Sequence, residues 1–337
     1  MKIVVIGGGP GGLYFALLMK KRFASYDITV YERHRADDTF GFGVVFSDET
    51  LDNLMDHDRE SYEAITREFS YWGEIDFHFR GDVVRSTGHG FCGTERRSLL
   101  AVLQDRCREL GVKLEFSREI SDLTQFSDAD LIVAADGISS FVRETYEEHF
   151  QPKVELRRNH FIWLGSTAPS PAFSFHFAEN EFGIWDLCTY QYKRNMSTWV
   201  VEAPDATWAK AESTLAKLDE DQTVAYLEKL FSKQLCGHKL IANRSYWRRF
   251  PVIQNTNWYY KNIVLLGDAL HTAHFSIGSG TKLAMEDAIT LFNAFEKSGS
   301  VADALKAFQG SRREDVEKTQ YACLLYTSDA ADDLTRV

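Results

Sequence analysis

The chain has 337 residues, 44% of them hydrophobic and 26% charged, with 24 Phe, 14 Tyr and 7 Trp. That supply of apolar surface supports one large domain or two closely packed ones and excludes a disordered chain. The formal charge of −11 excludes a general nucleic-acid or anionic-membrane binder, which it would repel.

In chain order, the first element is the apolar, β-branched run Lys2–Ile6, read as a buried parallel strand. It enters Gly7-Gly8-Gly9-Pro10-Gly11-Gly12, residues 13–19 read as a helix, and 28–31 as a second strand that ends at Glu32. The glycines interrupt the apolar run, and Lys20-Lys21-Arg22 stands where a cleavage site would need small residues, so a secretory signal is excluded. No stretch approaches the length of a membrane span.

Gly7, Gly9 and Gly12 fit the G-x-G-x-x-G pattern with an acid about twenty residues beyond it, which points to a dinucleotide. Gly7 makes the tight turn, Gly9 lets a pyrophosphate approach the backbone, and Gly12 lets helix and strand pack closely. The amide-rich helix start favours the anion. Glu32 can accept hydrogen bonds from a ribose.

Further along, 129–135 is a buried strand that ends in Asp136-Gly137, with Ser139, Ser140 and Arg143 behind it. Between 159 and 247 lie alternating aromatic runs such as Phe173-Ser174-Phe175-His176-Phe177, which predict a half-buried antiparallel sheet. Ala168-Pro169-Ser170-Pro171 supplies a turn, and Asp219-Glu220-Asp221 a helix start. Residues 262–266 form another buried strand, ending in Gly267-Asp268-Ala269. An acid at the end of a parallel strand sits where open α/β sheets bind ligands. The five cysteines are scattered, odd in number and without a Cys-x-x-Cys pair. They predict neither a disulfide framework nor a zinc site, and a reducing cytoplasm is the expected setting.

Gly7-x-Gly9-x-x-Gly12, Asp136-Gly137 and Gly267-Asp268 together resemble the FAD-dependent aromatic hydroxylases of the para-hydroxybenzoate hydroxylase type. Gly41-x-Gly43-Val44-Val45-Phe46-Ser47 is similar to their segment that returns to the flavin. Arg97-x-x-Leu100-x-x-Leu103-Gln104 resembles their arginine-bearing helix, near the ribityl-phosphate. The stretch from Gly267 to Gly280 resembles their ribityl contact and isoalloxazine cradle. The resemblance covers residues 1–322. It narrows, over 39–48 and 271–288, to the salicylyl-CoA 5-hydroxylase and 2-aminobenzoyl-CoA monooxygenase group.

The resemblance implies an α/β fold: a Rossmann-like FAD-binding domain of the glutathione-reductase type with an inserted antiparallel β-sheet substrate domain. The expected boundaries are 1–75, 96–158 and 250–322 for the first and 76–95 and 159–249 for the second. It implies FAD as cofactor, NAD(P)H as reductant, and O2 and a small aromatic substrate as partners, with a CoA thioester as the substrate form that the narrower resemblance implies. With no second G-x-G-x-x-G, the nicotinamide is expected at a transient site near the flavin. Pro10, Arg33, Gly137, Gly267, Gly278, Gly280 and Thr281 complete the expected FAD contacts.

This sequence departs from the family in having His274-Phe275 where Pro-Pro is common and Lys282 where Asn is common. Lys282 is expected near the flavin pyrimidine edge, where a cation stabilises the anionic reduced ring. His274 is expected to polarise substrate or oxidant, or else to pack beneath the flavin. His271 and His274 lack a third ligand for a metal. His176 and Tyr190 are weaker substrate-sheet candidates. A homodimer, or a flavin oxidoreductase domain, fused or separate, stays open as a partner. So do two other readings, a hydroxylase of free aromatic or indole-type metabolites and a non-catalytic FAD-binding protein. Residues 323–337 resemble the translation of a sequencing adapter, so the natural sequence is expected to stop near Ala322 and the rest to be a non-native tail.

Overall fold

In the computed structural model, which describes residues 1–275, 278 and 280–333, the first strand is Lys2–Ile6, with Ile3, Val4 and Val5 at most 1% exposed. It pairs in parallel with Asp27–Tyr31 on one side and Leu131–Ala134 on the other. Ile263–Leu265 and Lys113–Glu115 extend the parallel sheet, and Tyr259–Tyr260 closes one edge antiparallel. The first crossover is the Pro10–Arg22 helix, buried from Pro10 to Met19. It starts three residues before the predicted 13–19, inside the glycine run. Pro10 occupies the first helical position, where a missing N–H costs nothing. The helices Arg96–Leu110 and Gly280–Lys297 pack around the same core.

The aromatic middle of the chain forms the predicted sheet. Pro152–Ser166, Phe173–Asn180, Gly183–Lys193 and Met196–Ala203 are its long strands, and Ile75–Phe79, Asp82–Ser86, Leu240–Ile241 and Arg248–Asn255 complete it. Every pairing is antiparallel except that of Phe173–Asn180 with Ile75–Phe79. The strands Pro152–Ser166 and Arg248–Asn255 run through the expected boundaries at 158 and 250. Phe91–Glu95 pairs instead with Gly43–Ser47 and Ser70–Trp72 in a separate three-stranded sheet.

Because side chains alternate along a strand, the large sheet has two chemically distinct faces. Its rear face carries Ile162, Leu164, Trp185, Leu187, Trp199 and Val201, buried against the helices Asp205–Leu215 and Glu220–Leu230. The latter helix begins at Asp219, whose side chain and Gln222 form a capping box. The front face, with Phe161, Trp163, Phe175, Cys188, Tyr190 and Val200 in register, is turned toward the parallel-sheet unit. Tyr190 Oη donates to Gly43 O at 3.0 Å, and Gly43 N donates to Thr198 Oγ1 at 3.0 Å, which fixes that approach.

The helix Val301–Asp333 continues into the segment set aside above, and 334–337 lie outside the described residues. Among the described residues no helix is long and apolar enough to cross a membrane, and no cluster of metal-ligating side chains occurs. Cys92, Cys107, Cys188 and Cys236 are free thiols.

Candidate active site

Four neighbouring parallel strands end side by side at Glu32, Gly7, Asp136 and Gly267-Asp268. Gly7 has φ +111°, and a Cβ there would lie 2.1 Å from Ala135 O, so only glycine permits this turn. A Cβ on Gly12 would meet Gly7 O at 2.3 Å, whereas one on Gly9 would meet nothing within 4 Å. Two of the three glycines thus serve close backbone packing, and the third faces open space at the helix start. Gly9 is the N-cap and offers no side-chain cap, and no acid lies in the first turn. The leading amides of the helix are left for an outside acceptor.

Glu32 Oε2 accepts from Gly8 N and its Oε1 from His34 N, both at 2.8 Å. These bonds fix the carboxylate at the rim of the turn with lone pairs to spare. Asp136 Oδ2 accepts from Val142 N at 3.2 Å, while its buried Oδ1 has no partner among the described residues. Burial pushes the Asp136 carboxyl up, against hydrogen bonds from Ser140 and Val142. Arg143 donates to Ala269 O at 2.9 Å and to Ile138 O at 2.6 Å, tying the Asp136-Gly137 corner to the Gly267-Asp268 corner.

Asp268 is exposed, yet the protein around it desolvates its carboxyl and pushes it up, opposed chiefly by the Arg96 charge. Arg96, half-buried, faces Asp268 and Tyr190, and burial pushes its guanidinium down. Arg97, the candidate from sequence, is 60% exposed and lies 3.6 Å from Asp37. Gln104 is buried and donates to Ala36 O at 3.1 Å. Arg33 donates to His34 Nε2 at 3.2 Å in an exposed contact.

The strand bearing Gly43 and Val44 lies against the large sheet, where a Cβ on Gly43 would sit 2.4 Å from Tyr192 Cβ. Gly278 takes φ +64° beside Val45. Gly280 and the half-buried Thr281 open the Gly280–Lys297 helix. Ser276, Ile277 and Ser279 of the cradle motif lie outside the described residues. Ala284, in the first turns of that helix, meets the positions where Cβ atoms would stand on Gly11 and Gly267. The glycine turn, the Gly267 corner and this helix therefore converge. Lys282 is two residues from Ala284, about 200° round the helix. Its amine lies 3.7 Å from Glu286 Oε1 and borders a cavity of about 710 Å³.

His274 is buried and sits edge-on to Phe250 at 4.9 Å, and burial depresses its imidazole to about 4, with Arg157 adding to the effect. It is a neutral ring at pH 7. Tyr190 lies on the front face of the large sheet, and His176 on the rear. Sequence reading missed the buried pair His271–Asp287, 2.8 Å apart, and Arg312, which donates to Asp287 at 2.9 Å and Glu286 at 2.8 Å. A carboxylate on the core face of a helix, with a histidine sixteen residues earlier, was the available signal.

The sequence matches the family described as FAD binding domain over residues 1–318. It is 39% identical over 327 residues to salicyloyl-CoA 5-hydroxylase of a Streptomyces species, covering 95% of this chain and 63% of that protein. The chain thus spans less than two thirds of that enzyme's length. It is 35% identical over 320 residues to 3-hydroxy-4-methyl-anthranilyl-[aryl-carrier protein] 5-monooxygenase of Streptosporangium sibiricum, covering 95% and 86%. With protodeoxyviolaceinate monooxygenase of Chromobacterium violaceum it shares 31% over 315 residues, covering 92% and 83%. The tetrameric form of 2-methyl-3-hydroxypyridine-5-carboxylic acid oxygenase superposes with a TM-score of 0.81 at 19% identity, over 98% of this chain and 91% of that one. Likeness at that identity speaks for the fold, and the α/β class expected from the sequence holds.

Proposed function

The chain belongs to the FAD binding domain family, and from that premise we propose that it is an FAD-dependent monooxygenase that uses NAD(P)H and O2 to hydroxylate an aromatic ring. The substrate we propose is an aromatic acyl thioester of the salicylyl-CoA kind, by likeness to the Streptomyces enzyme. The observation that carries the reading is the meeting of the glycine turn, two acid-bearing strand ends and Arg96 beside an aromatic sheet face.

Three features fit an FAD: the open space at Gly9, the uncapped helix start behind it, and the orphaned Asp136 Oδ1. In this reading Gly7, Gly9, Pro10 and Gly12 hold the pyrophosphate, and Glu32 with Arg33 the adenosine end. Arg96, Gln104, Asp136, Gly137, Gly267 and Asp268 hold the ribityl chain. Gly43, Val44, Gly278, Gly280 and Thr281 line the ring end, and Lys282 tunes it from the outer side of its helix. When bound, FAD supplies hydride acceptance and oxygen activation. The protein's part is to position the ring, exclude water with Phe161, Trp163, Phe175 and Phe275, and keep His274 uncharged beside them. We also propose the division into an FAD-binding unit and a sheet-borne substrate unit, with the shared strands as the joint between them.

The test is NAD(P)H oxidation by the FAD-loaded protein with salicylyl-CoA against free salicylate. Stimulation by the thioester, with a product heavier by one oxygen atom, is expected. A yellow protein that no aromatic compound stimulates would overturn the proposal.

A further inference from the structure

Asp186 and Glu202 stand directly opposite each other where Gly183–Lys193 pairs with Met196–Ala203, on the front face of the large sheet. Opposed residues of an antiparallel pair have Cβ atoms about 5 Å apart, and like charges there work against the sheet. Asn159 Nδ2 donates to Glu202 Oε1 at 2.7 Å. Asp186 Oδ1 is buried and has no hydrogen-bond partner among the described residues. Glu202 is met by Asn159 and the Arg157 charge, and Asp186 by the Leu187 backbone, which leaves Asp186 Oδ1 as the polar atom that a ligand would satisfy.

The surroundings say what kind of ligand. One step along both strands the carboxyls give way to Cys188 and Val200, two small side chains flanked by Trp163 and Phe175. Phe275 comes up to this face, its ring 6.0 Å from that of Trp163 and 4.6 Å from that of Phe161. One step further lies Tyr190, which holds Gly43 at the cofactor cleft. Two such steps span about 13–14 Å, longer than one aromatic ring, between the carboxyl end and Tyr190. A carboxyl keeps an acceptor oxygen in either protonation state, and its ionised form donates nothing. Burial, and for Asp186 the neighbouring Glu202 charge, push both carboxyls up, Asp186 to about 7, so another anion is unwelcome beside them.

We infer that the facing carboxyls of Asp186 and Glu202 accept a hydrogen bond from a ring-borne donor of the substrate, a phenolic hydroxyl or an aryl amine, and so set which ring edge faces the cofactor cleft. The choice of an aromatic ligand rests on the hydroxylase reading above.

Binding to the FAD-loaded protein, read from flavin absorbance, is compared for salicylyl-CoA against benzoyl-CoA and for phenol against toluene. The donor-bearing ring of each pair is expected to bind about tenfold tighter or more. Asp186→Leu should bring that preference to within about twofold, leave the donor-free rings unaffected, and change Tm little, because Oδ1 had no partner and the carboxyl otherwise takes only the Leu187 backbone bond. Asp186→Asn, which keeps an acceptor, should restore part of the preference. A preference that survives in Asp186→Leu and in Glu202→Leu, or that the unaltered protein lacks, overturns the inference. If neither thioester binds but the phenol preference appears and is lost in Asp186→Leu, the thioester reading alone fails. If none of the four rings perturbs the flavin, both fall.

Discussion

At the scale of single residues, the glycine turn separates two requirements that its pattern runs together. A Cβ on Gly12 would press into Gly7 O at 2.3 Å, whereas one on Gly9 projects into open space. Gly12→Ala should therefore cost about 2–3 kcal/mol of stability, as overpacking against backbone does. Gly9→Ala should melt like the unaltered protein yet retain less FAD through gel filtration, because it fills space kept for the ligand. A Gly9→Ala protein with full FAD content would remove the pyrophosphate assignment. Lys282 admits a similar test. Its amine is shared with Glu286 at 3.7 Å, so its field at the ring end is weakened without being cancelled. Lys282→Met should lower the midpoint potential of bound FAD by a few tens of millivolts, since one pKa unit of lost charge stabilisation is about 1.4 kcal/mol. An unchanged potential would leave Lys282 as a surface partner of Glu286.

At the scale of elements, legibility followed the range of the interaction. The strand–turn–helix at the N-terminus was readable because glycine, proline and strand preferences act within a few residues, and the capped helix at Asp219 was readable for the same reason. The arginine of the Arg96–Leu110 helix was not. Adjacent residues differ by 100° around a helix, and only the approach of Asp268 and Tyr190 turns Arg96 inward while Arg97 meets Asp37 at the surface. Asp186 and Glu202 were not singled out either, because their opposition arises only where two strands pair across the sheet. The latch between the last two helices was hidden by distance. Arg312, 8% exposed, binds Asp287 and Glu286 across twenty-five and twenty-six residues. Arg312→Ala strands a buried carboxylate beside His271, and should cost about 3–5 kcal/mol in chemical denaturation. A loss under about 1 kcal/mol would mean that the two helices are held by apolar contacts alone.

For the molecule as a whole, three groups on or beside the large sheet whose protonation shifts within the accessible pH range pull stability in opposite directions with pH. His274 and His176 are depressed to about 4, mainly by burial. The unfolded chain binds protons at both below about pH 6.5 and the native state does not, so their contribution is present above 6.5 and lost as pH falls toward 4. Asp186, raised to about 7 by burial and by Glu202, behaves inversely. The native state keeps a proton that the unfolded chain releases near 3.8, so that contribution is full at low pH and lost as pH rises to about 7. The two histidines oppose Asp186 below pH 6.5, and the carboxyls of Asp136, Glu202 and Asp268, raised by burial like that of Asp186, add to the loss as pH rises, so thermal stability of the FAD-free protein should peak at or below about pH 6.5. Asp186→Asn should make the decline on the alkaline side shallower. Its advantage should grow from about pH 4 to about pH 7 and then level at about 2 kcal/mol, partial exposure having reduced the roughly 4 kcal/mol that three pKa units represent. Melting curves from pH 4 to 9 decide the matter. Parallel pH profiles for the two proteins would show that solvent reaches Asp186 freely and that the sheet does not raise its carboxyl.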